Sequence, residues 1–205
     1  TIDRNAGVLL NLVDQMLDLA KLEAGAMPVS LVRGDISLIV KHAVELFRSF
    51  AESKGIQLEF IPANEPMELD YDNEKIMKIV SNLVSNGLKF THPGGRVVVM
   101  IQPVSGENYE IRVTDNGPGI TETFLPFVFD RFTREPAVTG GKIPGSGLGL
   151  ALTKELVTLL GGTISAESIY GEGTEFVVRM PVTRSAPLSG ISDQNLNHEK
   201  HLHSD

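Results

Sequence analysis

Asn82-Leu83-Val84-Ser85-Asn86-Gly87-Leu88-Lys89-Phe90-Thr91 lies on a helical segment that Asp72 is placed to cap. On such a helix Asn82, Asn86 and Lys89 fall at i, i+4 and i+7 and share one stripe, so they can converge on one ligand. Three further blocks follow in order: Asp115-Asn116-Gly117-Pro118-Gly119-Ile120, Gly145-Ser146-Gly147-Leu148-Gly149-Leu150 and Gly171-Glu172-Gly173-Thr174. They add a carboxylate beside a tight turn and a glycine loop opening a helix. Together the four blocks supply what a magnesium-nucleotide site needs.

Working outward from these blocks, the pattern predicts alternating helices and hairpins. Apolar residues Leu9, Leu10, Leu12, Val13, Met16, Leu17 and Leu19 recur at three- and four-residue steps between Ile2 and Ala24, with Asp3, Arg4, Asp14, Asp18 and Lys21 on the other face. This is an amphipathic helix of about 35 Å at ~1.5 Å per residue, stopped by Gly25 and Pro28. Its stripe wants a partner: its own domain, a second chain or another helix. After an extended stretch at 29–32, Asp35 caps a second predicted helix reaching about Ser53, with Ile36, Ile39, Val40, Ala43, Val44, Phe47 and Phe50 buried. Strands are expected at 56–61, 67–70, 96–102, 109–114, 163–167 and 175–180, and a helix at 148–160. Residues 121–146 hold Pro126, Pro136, Gly140, Gly141 and Pro144 and read as a lid. Helices alternating with antiparallel hairpins imply an α/β fold: a two-layer sandwich in which a mixed, largely antiparallel sheet packs on helices, preceded by one long amphipathic helix. The expected division is 1–25 for that helix, 29–183 for the sandwich and 184–205 for a polar tail or linker.

Bulk properties exclude several classes. The chain has 205 residues and a net charge of −8, so no basic stripe favours nucleic acid as the main partner. Mean hydropathy is +0.03 and 41% of residues are hydrophobic, and no apolar run reaches the roughly 20 residues of a membrane helix. Cysteine is absent, which removes disulfides, thiolate metal sites and cysteine nucleophiles. No basic and apolar leader opens the chain, which reads as a segment of something longer.

Each block has a definite chemistry and an ordinary alternative. A neutral amide oxygen suits magnesium, which keeps waters and takes phosphate oxygens, and an ammonium neutralises phosphate; exposed Asn and Lys on a helix are also commonplace. Asp115 ends a strand and precedes Gly117-Pro118-Gly119. An ionised aspartate only accepts hydrogen bonds, so it favours adenine's amino group over guanine's carbonyl; a plain Asp-Asn-Gly turn is the alternative. Gly145, Gly147 and Gly149 let a backbone approach phosphates at a helix start, or else form a hinge. They match neither the Walker pattern nor the dinucleotide fingerprint. Phe127, Phe129 and Phe132 flank Asp130, Arg131 and Arg134 in the lid, and one of these arginines can reach a terminal phosphate or sit in a surface pair.

Taken jointly, the blocks resemble the N, G1, F, G2 and G3 boxes of sensor histidine kinases, within the wider ATPase family of DNA gyrase, the heat-shock chaperone and MutL-type repair proteins. The resemblance runs from about Val29 to Pro181. Leu12 to Gly25 is similar to the end of the second helix of the kinase dimerisation and phosphotransfer hairpin, which favours kinase over a nucleotide-driven clamp. The resemblance implies ATP and Mg2+ as ligands, with magnesium on Asn86, phosphate contact by Lys89, and Asn82 and Phe90 lining the pocket. It implies adenine recognition by Asp115 with Thr174 nearby, a pocket completed by Gly117, Gly119, Ile120, Phe132 and Leu148, phosphate enclosure by Gly145, Gly147 and Gly149, and Arg131 approaching the γ-phosphate. Gly87 stands where the family usually has alanine. The partners implied are a phosphoacceptor helix, a response regulator receiver domain and a second copy of the protein, in a cytoplasmic segment of a membrane-anchored bacterial sensor. The phosphoacceptor helix is expected outside this chain. His42 and His92 lack the acidic and proline context, and His198, His201 and His203 lie in the tail. The expectation is a fragment that binds ATP without phosphorylating itself.

Overall fold

The computed structural model describes residues 2–105, 107–133 and 146–187. Among them α1 (Ile2–Glu23) is followed by β1 (Val32–Asp35), α2 (Ile36–Glu45), α3 (Arg48–Ser53), β2 (Gln57–Ile61), β3 (Glu68–Tyr71) and α4 (Asn73–Phe90). β4 (Arg96–Ser105), β5 (Asn108–Asp115), a 3-10 turn (Leu125–Phe127), α5 (Gly149–Leu159), β6 (Thr163–Ile169) and β7 (Gly173–Pro181) complete the order. Five strands form one sheet in the order β2-β4-β5-β7-β6, while β1 and β3 pair separately. β2 runs parallel to β4 and the other pairs are antiparallel. This is the expected α/β sandwich with a mixed, largely antiparallel sheet.

One face of the sheet is apolar and covered. Val97, Val99, Ile101, Ile111, Val113 and Val178 are almost fully buried against Ile76, Ile79, Val80, Leu83, Val84 and Leu88 of α4 and against Ile36, Val40 and Val44 of α2. The strand period of two leaves the alternate residues on the outer face. There Glu110, 1% exposed, accepts from Arg112 and Arg179, and Arg112 reaches Glu175. Burial alone would raise the Glu110 pKa; the hydrogen bonds from both guanidiniums outweigh it and lower it.

Two local outcomes go beyond the sequence pattern. The second helix breaks after Glu45 and resumes at Arg48, so Phe47 is partly buried and Phe50 is 47% exposed. Phe50 instead lies under the Lys54 ammonium, 5.3 Å from its ring centre. Residues 183–187, linker-like in composition and mostly exposed, are hydrogen-bonded to β1 and β3. The Asp70 N–H donates to the Thr183 carbonyl, Ser185 N–H and Oγ donate to the Asp70 carboxylate, and Arg33 N–H donates to the Pro187 carbonyl. The parallel β2–β4 pair of the expected mixed sheet needs the crossover through β3 and α4; it is what sets α4 across the sheet.

Candidate functional site

Helix α4 is fixed at its start by Asp72, whose carboxylate accepts from the Lys75 N–H, the Lys75 ammonium and the Ser30 N–H at 3.1, 2.7 and 2.8 Å. With its apolar face on the sheet, α4 holds Asn82, Asn86 and Lys89 half-buried along one flank. The Lys89 ammonium stands 4.6 Å from the centre of the Phe90 ring, a cation–π contact that limits where this long side chain can swing.

The glycines show how the four blocks meet. A Cβ on Gly87 of α4 would lie 3.7 Å from the Asp115 Cβ, and one on Gly117 would lie 2.9 Å from Asp115 Oδ1 and 3.3 Å from the Phe90 carbonyl. On Gly149 a Cβ would collide with the Asn82 amide, and on Gly173 with the Asp115 carbonyl. The first block therefore touches the second and third, and the second touches the fourth. Residues of different blocks, 27 or more apart along the chain, share one place.

Asp115 ends β5 in register with Thr174 of β7. Its Oδ1 accepts from the Gly117 N–H at 2.9 Å. Burial pushes its pKa up, opposed by the Gly117 and Thr174 N–H groups. Ser168, which the sequence pattern did not single out, organises the surroundings. Its hydroxyl donates to the Gly173 carbonyl at 2.7 Å and accepts from the Ile120 N–H at 2.8 Å. With its one proton committed, it accepts from the Thr174 hydroxyl at 3.0 Å. Gly119, at φ 69°, seats the β6–β7 turn, where Gly171 N–H donates to the Pro118 carbonyl.

Leu148 is buried and Gly147 takes φ 71°. The Gly147 carbonyl accepts from the N–H of Phe132, itself at φ 60° and 64% exposed. Arg131 turns to α1: its guanidinium donates to Glu23, with Glu155 3.9 Å away. Ser146 Oγ also reaches α1, at Gln15 Oε1, and Lys78 pairs with Asp18. Gly145, Arg134 and His198, His201 and His203 lie outside the described residues. A partly open space of about 120 Å3 lies elsewhere, between Tyr71, Ile76, Tyr109, Leu160 and Met180, and none of the residues of the four blocks lines it.

A fold with amides, an ammonium, a strand-end carboxylate and crowded glycines gathered at one end of its sheet points to a class of nucleotide-binding ATPase. Residues 71–184 match the family described as "Histidine kinase-, DNA gyrase B-, and HSP90-like ATPase", and the chain belongs to it. Within that family the relatives below are named sensor and hybrid histidine kinases, so the chain corresponds to the ATP-binding catalytic domain of such kinases, and a clamp is not favoured. It is 33% identical over 204 residues to hybrid signal transduction histidine kinase D of Dictyostelium discoideum, covering 96% of this chain and 13% of that protein. It is 37% identical over 211 residues to sensor histidine kinase TmoS of Ectopseudomonas mendocina, covering 98% of this chain and 21% of that protein. The crystal structure of full-length ShkA in complex with AMPPNP superposes with a TM-score of 0.78 at 30% identity, covering 90% of this chain and 38% of that one. The chain thus spans only 13% and 21% of the length of those two curated relatives. Among the described residues no helix is long and apolar enough to cross a membrane.

Proposed function

We propose that the four blocks seat Mg-ATP and that the domain presents its γ-phosphate to a histidine on a dimerisation helix, for relay to an aspartate of a response regulator. The observation that carries this is the convergence of Asn82, Asp115, Gly149 and Gly173 at one end of the sheet. The donor set fits the cation. Among the described residues no group of three His, Asp or Glu side chains is arranged for a metal, so magnesium would rest on the Asn86 amide oxygen together with phosphate and water oxygens. When bound, it supplies charge neutralisation at the phosphates.

Asp115 accepts the adenine amino group, Lys89 steadied by Phe90 offsets phosphate charge, and Gly147 and Gly149 admit the phosphates to the start of α5. These roles are positional, as phosphoryl transfer requires. Arg131 would leave Glu23 to meet the γ-phosphate. On α1, Leu9, Leu10, Val13, Met16 and Leu17 are 50–65% exposed, and this face suits the other helix of a hairpin or a second copy of the protein. The segment would work on the cytoplasmic side of a sensor.

Calorimetric titration with Mg-ATP tests the site. Asn86→Ala and Asp115→Ala are each expected to weaken binding at least tenfold, about 1.4 kcal/mol; unchanged affinity in both refutes it. Asp115→Asn separates function from stability. Its raised carboxylate pKa means that burial penalises the charged form, so the neutral amide should fold at least as well while losing adenine over guanine preference. By the same sign, ATP binding should fade on acidification from above pH ~3.9, where an ordinary aspartate takes its proton. Transfer is tested by restoring an upstream helix: label from the γ-phosphate should appear on histidine, labile to acid and stable to base.

A further inference from the structure

We infer that Thr153 is a positioning residue of the nucleotide site, acting by fixing which end of the Asn82 amide faces the glycine loop. Thr153 lies inside α5 and is 1% exposed. Its hydroxyl is 3.0 Å from the Gly149 carbonyl and 2.7 Å from Asn82 Nδ2. A carbonyl cannot donate, so the single hydroxyl proton goes to Gly149. Toward Asn82 the same oxygen has only lone pairs to offer. Asn82 must therefore turn its NH2 to Thr153 and its carbonyl oxygen away.

The place to which that oxygen turns is defined by Gly149. Of all atoms near a Cβ built there, Asn82 Oδ1 is the nearest, closer than Nδ2 at 3.1 Å. The acceptor thus fills the space at the opening of α5, beside the loop proposed to admit phosphates. An amide oxygen repels a bare phosphate oxygen, whereas it welcomes a metal ion or a water that the ion carries. Reversed, the amide would offer N–H donors and favour the metal-free anion. The Thr153 hydroxyl therefore selects metal-loaded over metal-free nucleotide, and does so from one turn inside the helix. This rests on the functional reading proposed above.

The experiment is a double-mutant cycle on the whole chain, titrated with ATP in excess magnesium and with ATP in EDTA. Thr153→Val is expected to weaken binding roughly three- to tenfold in magnesium, the scale of one hydrogen bond, with a smaller loss or a gain in EDTA. Thr153→Ser should restore the magnesium preference. In an Asn82→Ala background, Thr153→Val should change nothing further, because the hydroxyl acts through the amide. Equal losses with and without magnesium, or additive losses in the cycle, overturn the inference. If valine prevents folding, Thr153→Ala removes the same hydroxyl. The unsubstituted chain gives a readout that needs no variant: the Asn82 side-chain NH2 protons should be protected from exchange and cross-relax with the Thr153 methyl group, and free exchange overturns the arrangement. If the unsubstituted chain fails to bind Mg-ATP, the functional reading falls and this inference with it; binding with an additive cycle overturns this inference alone.

Discussion

Helices α1 and α4 are both amphipathic, yet α4 buries Ile76, Ile79, Val80, Leu83, Val84 and Leu88 completely while α1 buries Leu19 and leaves Leu9, Leu10, Val13, Met16 and Leu17 at 50–65% exposure. The difference lies in what covers the stripe. α4 crosses the five-stranded sheet, whose apolar face comes from this same chain. α1 has two apolar faces: Leu12, Leu19 and Leu22 meet the core, and the other five residues stay at least half exposed among the described residues. A helical period establishes that a helix forms and which residues share a face. It does not say where the covering surface is encoded.

The largest expected effect follows directly. Leu83→Ala should cost about 2–5 kcal/mol by lost burial and cavity formation, whereas Leu17→Ala should stay within about 0.5 kcal/mol. Urea denaturation of both variants checks this. Equal losses would mean that the outer face of α1 is covered in solution, and a loss at Leu17 that grows with protein concentration would identify the cover as a second copy.

The same contrast explains what was legible in the sequence. α4 was legible because its signals are local: Asp72 at the cap, and a ligand stripe set by helical geometry alone. The strand order and the parallel β2–β4 pair were not, since pairing depends on residues distant along the chain. The break at Leu46 was hidden because the apolar period runs on through Phe47 and Phe50 without glycine or proline. Residues 183–187 read as linker by composition, and only the Asp70 carboxylate on β3 reveals what holds them. Within the site, the glycines, Asn82, Asp115 and Thr174 stood out by pattern. Ser168 and Thr153 did not, because a hydroxyl in a strand or helix has no spacing signature and acts by its partners. The residues alone allow Arg131 a surface pair and the resemblance turns it toward phosphate; its pairing with Glu23 depends on where α1 packs.

Carboxylates sharpen the comparison next. The Asp70 side chain is fully covered. Burial would raise its pKa, but N–H groups of Ser185 and Ala186 and the hydroxyls of Thr183 and Ser185 outweigh this and hold it at about 2, below 3.8. A depressed folded pKa means stability that is fully present above the unfolded value and lost as pH falls through the folded one. Stability should therefore drop between about pH 4 and 2, and Asp70→Asn should flatten that drop while loosening 183–187 at neutral pH. An unchanged acid limb would show that the exit segment is not held by this charge. On the α1 side, Glu23 and Arg131 are 57% and 38% exposed. Glu23→Gln should therefore move Tm by no more than about 2 °C, and less in high salt. A larger shift would mean that α1 is held to the domain chiefly by polar contacts.

The smallest effect probes how closely α4 fits. Gly87, at a position where the resembling family usually has alanine, lies inside the helix beside β4. Alanine there gains about 1 kcal/mol of helix propensity, but its Cβ would stand 3.1 and 3.3 Å from the two γ-methyls of Val97, which is fully buried. Crowding of this order costs energy because the core leaves a valine little room to turn. The two terms oppose each other, and Gly87→Ala should change stability by less than about 0.5 kcal/mol. Ala20 on the exposed side of α1 provides the control: Ala20→Gly meets no neighbour and should lose about 1 kcal/mol from propensity alone. If Gly87→Ala instead gains that whole amount, the α4–β4 seam has slack, and the contrast with α1 is one of coverage only and not of packing.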